Sequence, residues 1–159
     1  MFEIRSATKD NSELILRYIN ELAIAEEFPF DISVCKEDLE ENLFNSNSSS
    51  EAVICYYNNN PCGFAVYYYT FSTTTGKKGI HLDDLYIEPK YQGKGFGKRV
   101  MSYLAMLAIN NNCARFEWWA LKTNDSALKF YKKLGAECLS ELSIFRLNSN
   151  GIELLAANK

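Results

Sequence analysis

The alternation of helical and strand-like periodicity along 159 residues predicts a mixed α/β (α+β) fold, with a central mixed sheet and helices on both faces. Three features carry the prediction. Two helical stretches follow a short first strand, a block of β-prone segments with asparagine-rich turns comes next, and the last third alternates helix with strand. The length fits a single domain over 1–159.

Phe2 to Arg5 reads as a first strand. Ser12 to Glu26 carries Ile15, Ile19, Leu22 and Ala23 on one helical face, and Lys36 to Phe44 is a second, shorter helix with Leu39 and Leu43. Asn45 to Ser50 is a polar loop. Glu51 to Tyr57 and Cys62 to Phe71 form a hairpin across the Asn58-Asn59-Asn60-Pro61 turn. A further turn leads into the strand Ile80 to Ile87. Gly97 to Asn112 is helical through Val100, Leu104, Leu107 and Ala108, and Ala114 to Leu121 is a strand. Asn124 caps a helix ending near Leu134, with Gly135 as its C′ residue. Glu137 to Leu147 is expected to close the sheet.

Composition excludes several functions. A net charge of −3 and a pI near 5.3 argue against a general nucleic-acid binder and suit a cationic substrate. No run approaches the roughly 20 apolar residues of a membrane span, and the charged N-terminus lacks a leader-like apolar stretch. Five cysteines without C-x-x-C spacing read as reduced thiols of a cytoplasmic protein. With His81 as the sole histidine, no metal site is expected.

The most informative segment is Gln92-Gly93-Lys94-Gly95-Phe96-Gly97-Lys98, between a strand and an amphipathic helix. Glycines permit positive φ, so successive N–H groups can converge on an anion, and the following helix N-terminus adds partial positive charge. Lys94, Lys98 and Arg99 reinforce that field. A dinucleotide loop would place its third glycine one position later and directly follow its strand. A Walker A loop would need Ser or Thr where Arg99 stands. A plain solvated glycine turn remains open on this loop alone.

Leu85-Tyr86-Ile87-Glu88-Pro89-Lys90-Tyr91-Gln92-Gly93-Lys94-Gly95-Phe96-Gly97 resembles the acetyl-CoA motif of the GNAT superfamily, Q/R-x-x-G-x-G/A. Asn124-Asp125-Ser126-Ala127-Leu128-Lys129-Phe130-Tyr131-Lys132-Lys133-Leu134-Gly135-Ala136 is similar to a second motif of that superfamily. Phe64 to Tyr69, His81 to Leu85, Arg115 to Trp119 and Glu21-Leu22-Ala23 with Glu26 are similar to its diamine (spermidine/spermine) and thialysine acetyltransferase branch. The resemblance implies a GNAT fold with a mostly antiparallel sheet, acetyl-CoA as cofactor, a small-molecule amine as acceptor and a homodimer. It further implies cofactor contacts from Leu85, Tyr86, Ile87, Gln92, Gly93, Lys94, Gly95, Phe96, Gly97, Lys98, Asn124, Ser126, Ala127 and Tyr131.

Tyr131 matches the tyrosine that serves such enzymes as general acid, and a phenol with a reference pKa near 10 can donate to a departing thiolate. Asp83 aligns with the branch glutamate that serves the amine as base, directly or through a water, and its side chain, one methylene shorter here, favours a bridging water. Alternation predicts that Asp83 and Asp84 face opposite sides of their strand. Glu26, Asp83, Glu117, Trp118 and Trp119 are the candidate acceptor contacts, with at most one Trp lining the cleft. Ala25 and Leu142 stand where the branch has Tyr and Trp. Two rival readings are a protein lysine or N-terminal acetyltransferase and a non-catalytic acyl-CoA-binding module.

Overall fold

Five strands form one sheet in the order β1-β2-β3-β4-β5, antiparallel except for the last pair. The computed structural model describes residues 1–158. The strands are β1 (Phe2–Ser6), β2 (Ser50–Tyr57), β3 (Asn60–Ser72), β4 (Lys77–Ile87) and β5 (Arg115–Trp118). The helices are α1 (Ser12–Ala25), α2 (Lys36–Asn42), α3 (Phe96–Asn110), α4 (Asp125–Lys133) and α5 (Ser149–Ala156). Boundaries differ from the sequence expectation by a few residues, most at the N-terminal end of β4 and at the C-terminal end of β5.

Strand alternation divides the core in two. Val53, Ala65, Tyr67, Ile80 and Leu82 pack against Val100, Met101 and Leu104 of α3 on one face. Ala52, Ile54, Phe64 and Tyr86 pack against Ile15 and Tyr18 of α1 on the other. The mixed sheet with helices on both faces is therefore formed as the sequence predicts. Asn58 and Asn59 adopt φ of 49° and 63° in the two-residue turn joining β2 to β3, the left-handed geometry that suits the strand twist.

Gly63 has a packing reason to be glycine. A Cβ there would lie 2.3 Å from the Tyr86 carbonyl oxygen and 2.7 Å from Ile87 Cδ1, so only a bare backbone lets β3 close on the end of β4. Gly63→Ala is expected to destabilise the fold by about 1–3 kcal/mol, read as a lowered urea midpoint. An unshifted midpoint would refute that packing argument.

A carboxylate fastens the same strand end. Glu88 accepts from Tyr18 Oη at 2.8 Å, Arg17 at 3.3 Å and Lys90 Nζ at 3.0 Å, while Tyr86 Oη donates to Glu21 at 3.0 Å. These contacts hold α1 against the junction of β4 with the following loop.

Two expectations are corrected. Glu137 to Leu147 forms no strand. Residues 141–147 are exposed throughout, Phe145 at 93%, with Ile144, Arg146 and Leu147 among the residues lining a pocket beside the sheet, and the four-residue β5 offers only a short edge to pair with. The second correction concerns Asp83 and Asp84. Register passes from Val66↔Asp84 to Tyr67↔Leu82, leaving Asp83 as the extra residue of a β-bulge. Leu82 and Leu85 both pack on the α3 face, and both intervening acids line the pocket bounded by α1. Strict alternation would have separated them.

Candidate active site

The site begins where two strands part. β4 and β5 pair in parallel from Gly79↔Arg115 to Leu82↔Trp118 and no further, whereas β3 stays paired to β4 as far as Ile87. Among the described residues, the β5-facing side of 83–87 has no strand partner. Backbone N–H and C=O groups along Leu85, Tyr86 and Ile87 thus face an opening in the sheet, and such groups demand partners.

The glycine loop lies just beyond. Gly93 and Gly95 have φ of 76° and 78°, and Gly95 is the left-handed N-cap of α3. A Cβ at either would meet nothing within 4 Å, so backbone conformation, not crowding, calls for glycine there. Gly97 differs: it lies under the Phe130 ring, where a Cβ would make ordinary contact at 3.5 Å. Phe96 is buried and stacks on Phe2, anchoring the helix start. The Gln92 side-chain amide donates to the Ile87 carbonyl at 2.9 Å and so ties the loop to the strand end. Lys94 and Lys98 enter no ion pair among the described residues. Arg99 departs from expectation, since its guanidinium turns back over the Phe2 ring and donates to the Phe2 carbonyl at 3.3 Å.

On the far side of the opening, Asn124 caps α4 by accepting from Ala127 N at 3.3 Å, and Ser126 donates to the same Asn124 oxygen at 3.2 Å. This fixes the helix that carries Tyr131. The Tyr131 ring packs 5.1 Å from Trp118 and 5.4 Å from Phe130, and burial together with the charge of Glu26 raises its pKa. Its hydroxyl therefore stays protonated.

A pocket of roughly 880 Å³ joins these parts. Glu26 at the end of α1, Asp83, Asp84 and Leu85 of β4, Trp119 after β5 and Tyr131 of α4 all line it. Burial and the neighbouring charges of Asp83 and Glu26 push the Asp84 carboxyl up to about 7. Burial also raises Glu26. Asp84 is the residue that sequence reasoning missed as a site group. Two acids in a β-prone strand were the available signal, and the bulge that turns both to one side left no mark in the sequence.

The structure separates the remaining candidates. Trp119 lines the pocket, whereas Trp118 packs behind Tyr131. Glu117 is not among the residues lining this pocket and pairs with His81 across the β4–β5 ladder. His81 is buried between Tyr68, stacked at 4.9 Å, and Trp119, edge-on at 4.9 Å, and burial lowers its pKa, so it packs as a neutral ring.

A split between parallel strands, a glycine loop entering a helix and a buried phenol on a following helix together define an acyltransferase framework. The chain belongs to the acetyltransferase (GNAT) family, whose sequence profile matches residues 17–136. It is 31% identical over 146 residues to a thialysine N-epsilon-acetyltransferase of Mus musculus, covering 87% of this chain and 85% of the relative. A spermidine/spermine N(1)-acetyltransferase-like protein of Homo sapiens is 31% identical over 92% of this chain, which spans 22% of that longer relative. An integron cassette protein from the V. cholerae mobile metagenome shares the fold with a TM-score of 0.80 at 30% identity, covering 98% of each chain. This protein is accordingly a GNAT-type acetyltransferase. No helix among the described residues is long and apolar enough to cross a membrane.

Proposed function

We propose that this chain is an acetyl-CoA-dependent N-acetyltransferase that acetylates a primary amine of a small molecule (a polyamine, diamine or lysine-like compound) by direct attack in a ternary complex. The observation that carries this reading is the meeting of Asp83, Asp84, Glu26 and Tyr131 in one pocket beside the unpaired edge of β4. The substrates named for the thialysine and spermidine/spermine relatives point to the same acceptor range.

The residues present fit acetyl-CoA. The N–H groups of Gly93, Lys94, Gly95, Phe96, Gly97 and Lys98 suit its diphosphate, with Lys94 and Lys98 adding charge and the start of α3 its dipole. The open edge at Leu85, Tyr86 and Ile87 suits its amide-bearing arm. Asn124, Ser126 and Ala127 hold the start of α4 beside it. When bound, the cofactor supplies an activated acetyl thioester.

The chain's own groups do the rest. An aliphatic amine arrives as an ammonium, with a reference pKa near 10.4 for a lysine-like group. Three carboxyl groups line the pocket and attract it. Asp84 accepts the proton. An ordinary aspartate near 3.9 would be a poor acceptor, and raising the carboxyl to about 7 eases the transfer by roughly 4 kcal/mol at most. Asp83, exposed beside it, holds the incoming cation, and Trp119 bounds the pocket on one side. Tyr131 Oη donates its proton to the departing sulfur. Among the described residues no cysteine lines the pocket, which favours direct transfer over an acyl-enzyme.

The same reading takes the protein to be cytoplasmic and homodimeric. Leu139, Leu142, Phe145, Ile152, Leu154 and Leu155 are each about half exposed or more, and a second copy would cover them. The test is release of free CoA thiol across spermidine, diamines, lysine analogues and peptides, alongside calorimetric titration of CoA and sedimentation analysis. Expected are micromolar CoA binding, turnover of small amines and a dimer mass. Absence of CoA binding would overturn the function, and a monomer at high concentration would overturn the assembly.

A further inference from the structure

We propose that Lys129 and Lys133 of α4 hold the ribose 3′-phosphate of coenzyme A, so that the donor site distinguishes the 3′-phosphorylated nucleotide from one that carries the diphosphate alone. This rests on the acetyl-CoA reading above and extends it to a part of the cofactor that the glycine loop does not account for.

Charge is sorted along the chain. Residues 1–88 hold fifteen acids against six lysines and arginines, whereas residues 89–136 hold nine lysines and arginines against two acids, Glu117 and Asp125. The acidic part supplies Glu26, Asp83 and Asp84 of the acceptor pocket. The basic part supplies the loop, the start of α3 and the whole of α4. A diphosphate seated on the loop N–H groups, with Lys94 and Lys98 beside it, leaves the lysines of α4 without a task.

Packing brings two of them to the cradle. Gly97, in the first turn of α3, lies under the Phe130 ring, so α4 crosses beside the loop. At about 100° per residue, Lys129 and Lys133 flank Phe130 on the side away from Tyr131, while Lys132 falls on the opposite side of the helix from Phe130. Asp125 stands four residues before Lys129, a spacing that commonly gives an ion pair. No such pair forms, and no carboxylate lies within 4.0 Å of either ammonium among the described residues. Like charges four residues apart on a helix repel, and a phosphate dianion placed between them turns that repulsion into attraction.

The experiment is calorimetric titration with CoA and with dephospho-CoA, which differ only in the 3′-phosphate. The wild type is expected to bind CoA about five- to tenfold more tightly, with the preference shrinking as salt is raised. Lys129→Met combined with Lys133→Met should bring CoA down to the level of dephospho-CoA and leave dephospho-CoA nearly unchanged. Lys132→Met, the same loss of charge on the other side of the helix, should keep the preference. All three side chains are exposed, so the core is untouched in these variants. Equal affinities in the wild type, an equal loss on both ligands in the double variant, or loss of the preference in Lys132→Met overturns the assignment while leaving cofactor binding intact. Failure to bind either ligand would remove the acetyl-CoA reading itself.

Discussion

Asp84→Asn should lower kcat/KM for the amine by about 10²–10³-fold, with CoA affinity nearly unchanged. The amide preserves shape and hydrogen bonding yet cannot take a proton. Asp83→Asn removes a charge that helps raise Asp84 and attracts the cation, and its loss should be smaller and largely in KM. The wild-type rate is expected to rise with pH through about 7 as Asp84 ionises, and Asp84→Asn should lack that limb. Stability carries the opposite sign. A carboxyl whose folded-state pKa is raised contributes stability that is fully present below its ordinary value near 3.9 and is lost as pH rises through about 7. The wild-type Tm should therefore fall between pH 5 and 8. Asp84→Asn should lose this contribution to the fall and gain about 1–2 kcal/mol over wild type at pH 8, or roughly 3–6 °C. An inactive variant that is no more stable than wild type at pH 8 would contradict burial of a charge at this position. If Asp83→Asn proved the more damaging in kcat, the proton acceptor would be the outer acid.

Tyr131→Phe should lower kcat by at least about tenfold while leaving the dissociation constant for CoA within about twofold. The ring keeps its packing on Trp118 and Phe130, so only the donor is lost. Because burial and Glu26 both raise the phenol, the wild type should keep its acid form through the ordinary pH range. Acceptors are tested at saturation, so that a change in amine affinity does not mimic a change in chemistry. Unaltered turnover would take the hydroxyl out of the reaction.

The parts legible in the sequence are those dictated by local chemistry. Gly93 and Gly95 occupy the positive-φ positions that the loop spacing implied, Asn124 caps its helix, and Gly135 closes it at φ 86°. The bulge at Asp83 was not legible, because it arises from how β3 and β4 fit together. The end of the chain misled for a related reason. Leu142, Ile144, Phe145 and Leu147 have the composition of a strand, but a strand also needs an edge to pair with, and composition does not say where that edge is.

The clasp on Glu88 links two tasks that a designer would prefer to keep apart. Its donors come from the helix that ends at Glu26 and from the turn that leads into Gly93, so one carboxylate joins the wall facing the acceptor to the cradle facing the nucleotide. Sliding α1 to admit a bulkier amine would pull on that joint and slacken the cradle. New acceptors are thus more readily gained by altering the pocket's far rim, around Phe30 and the chain's tail, than by moving the helix itself.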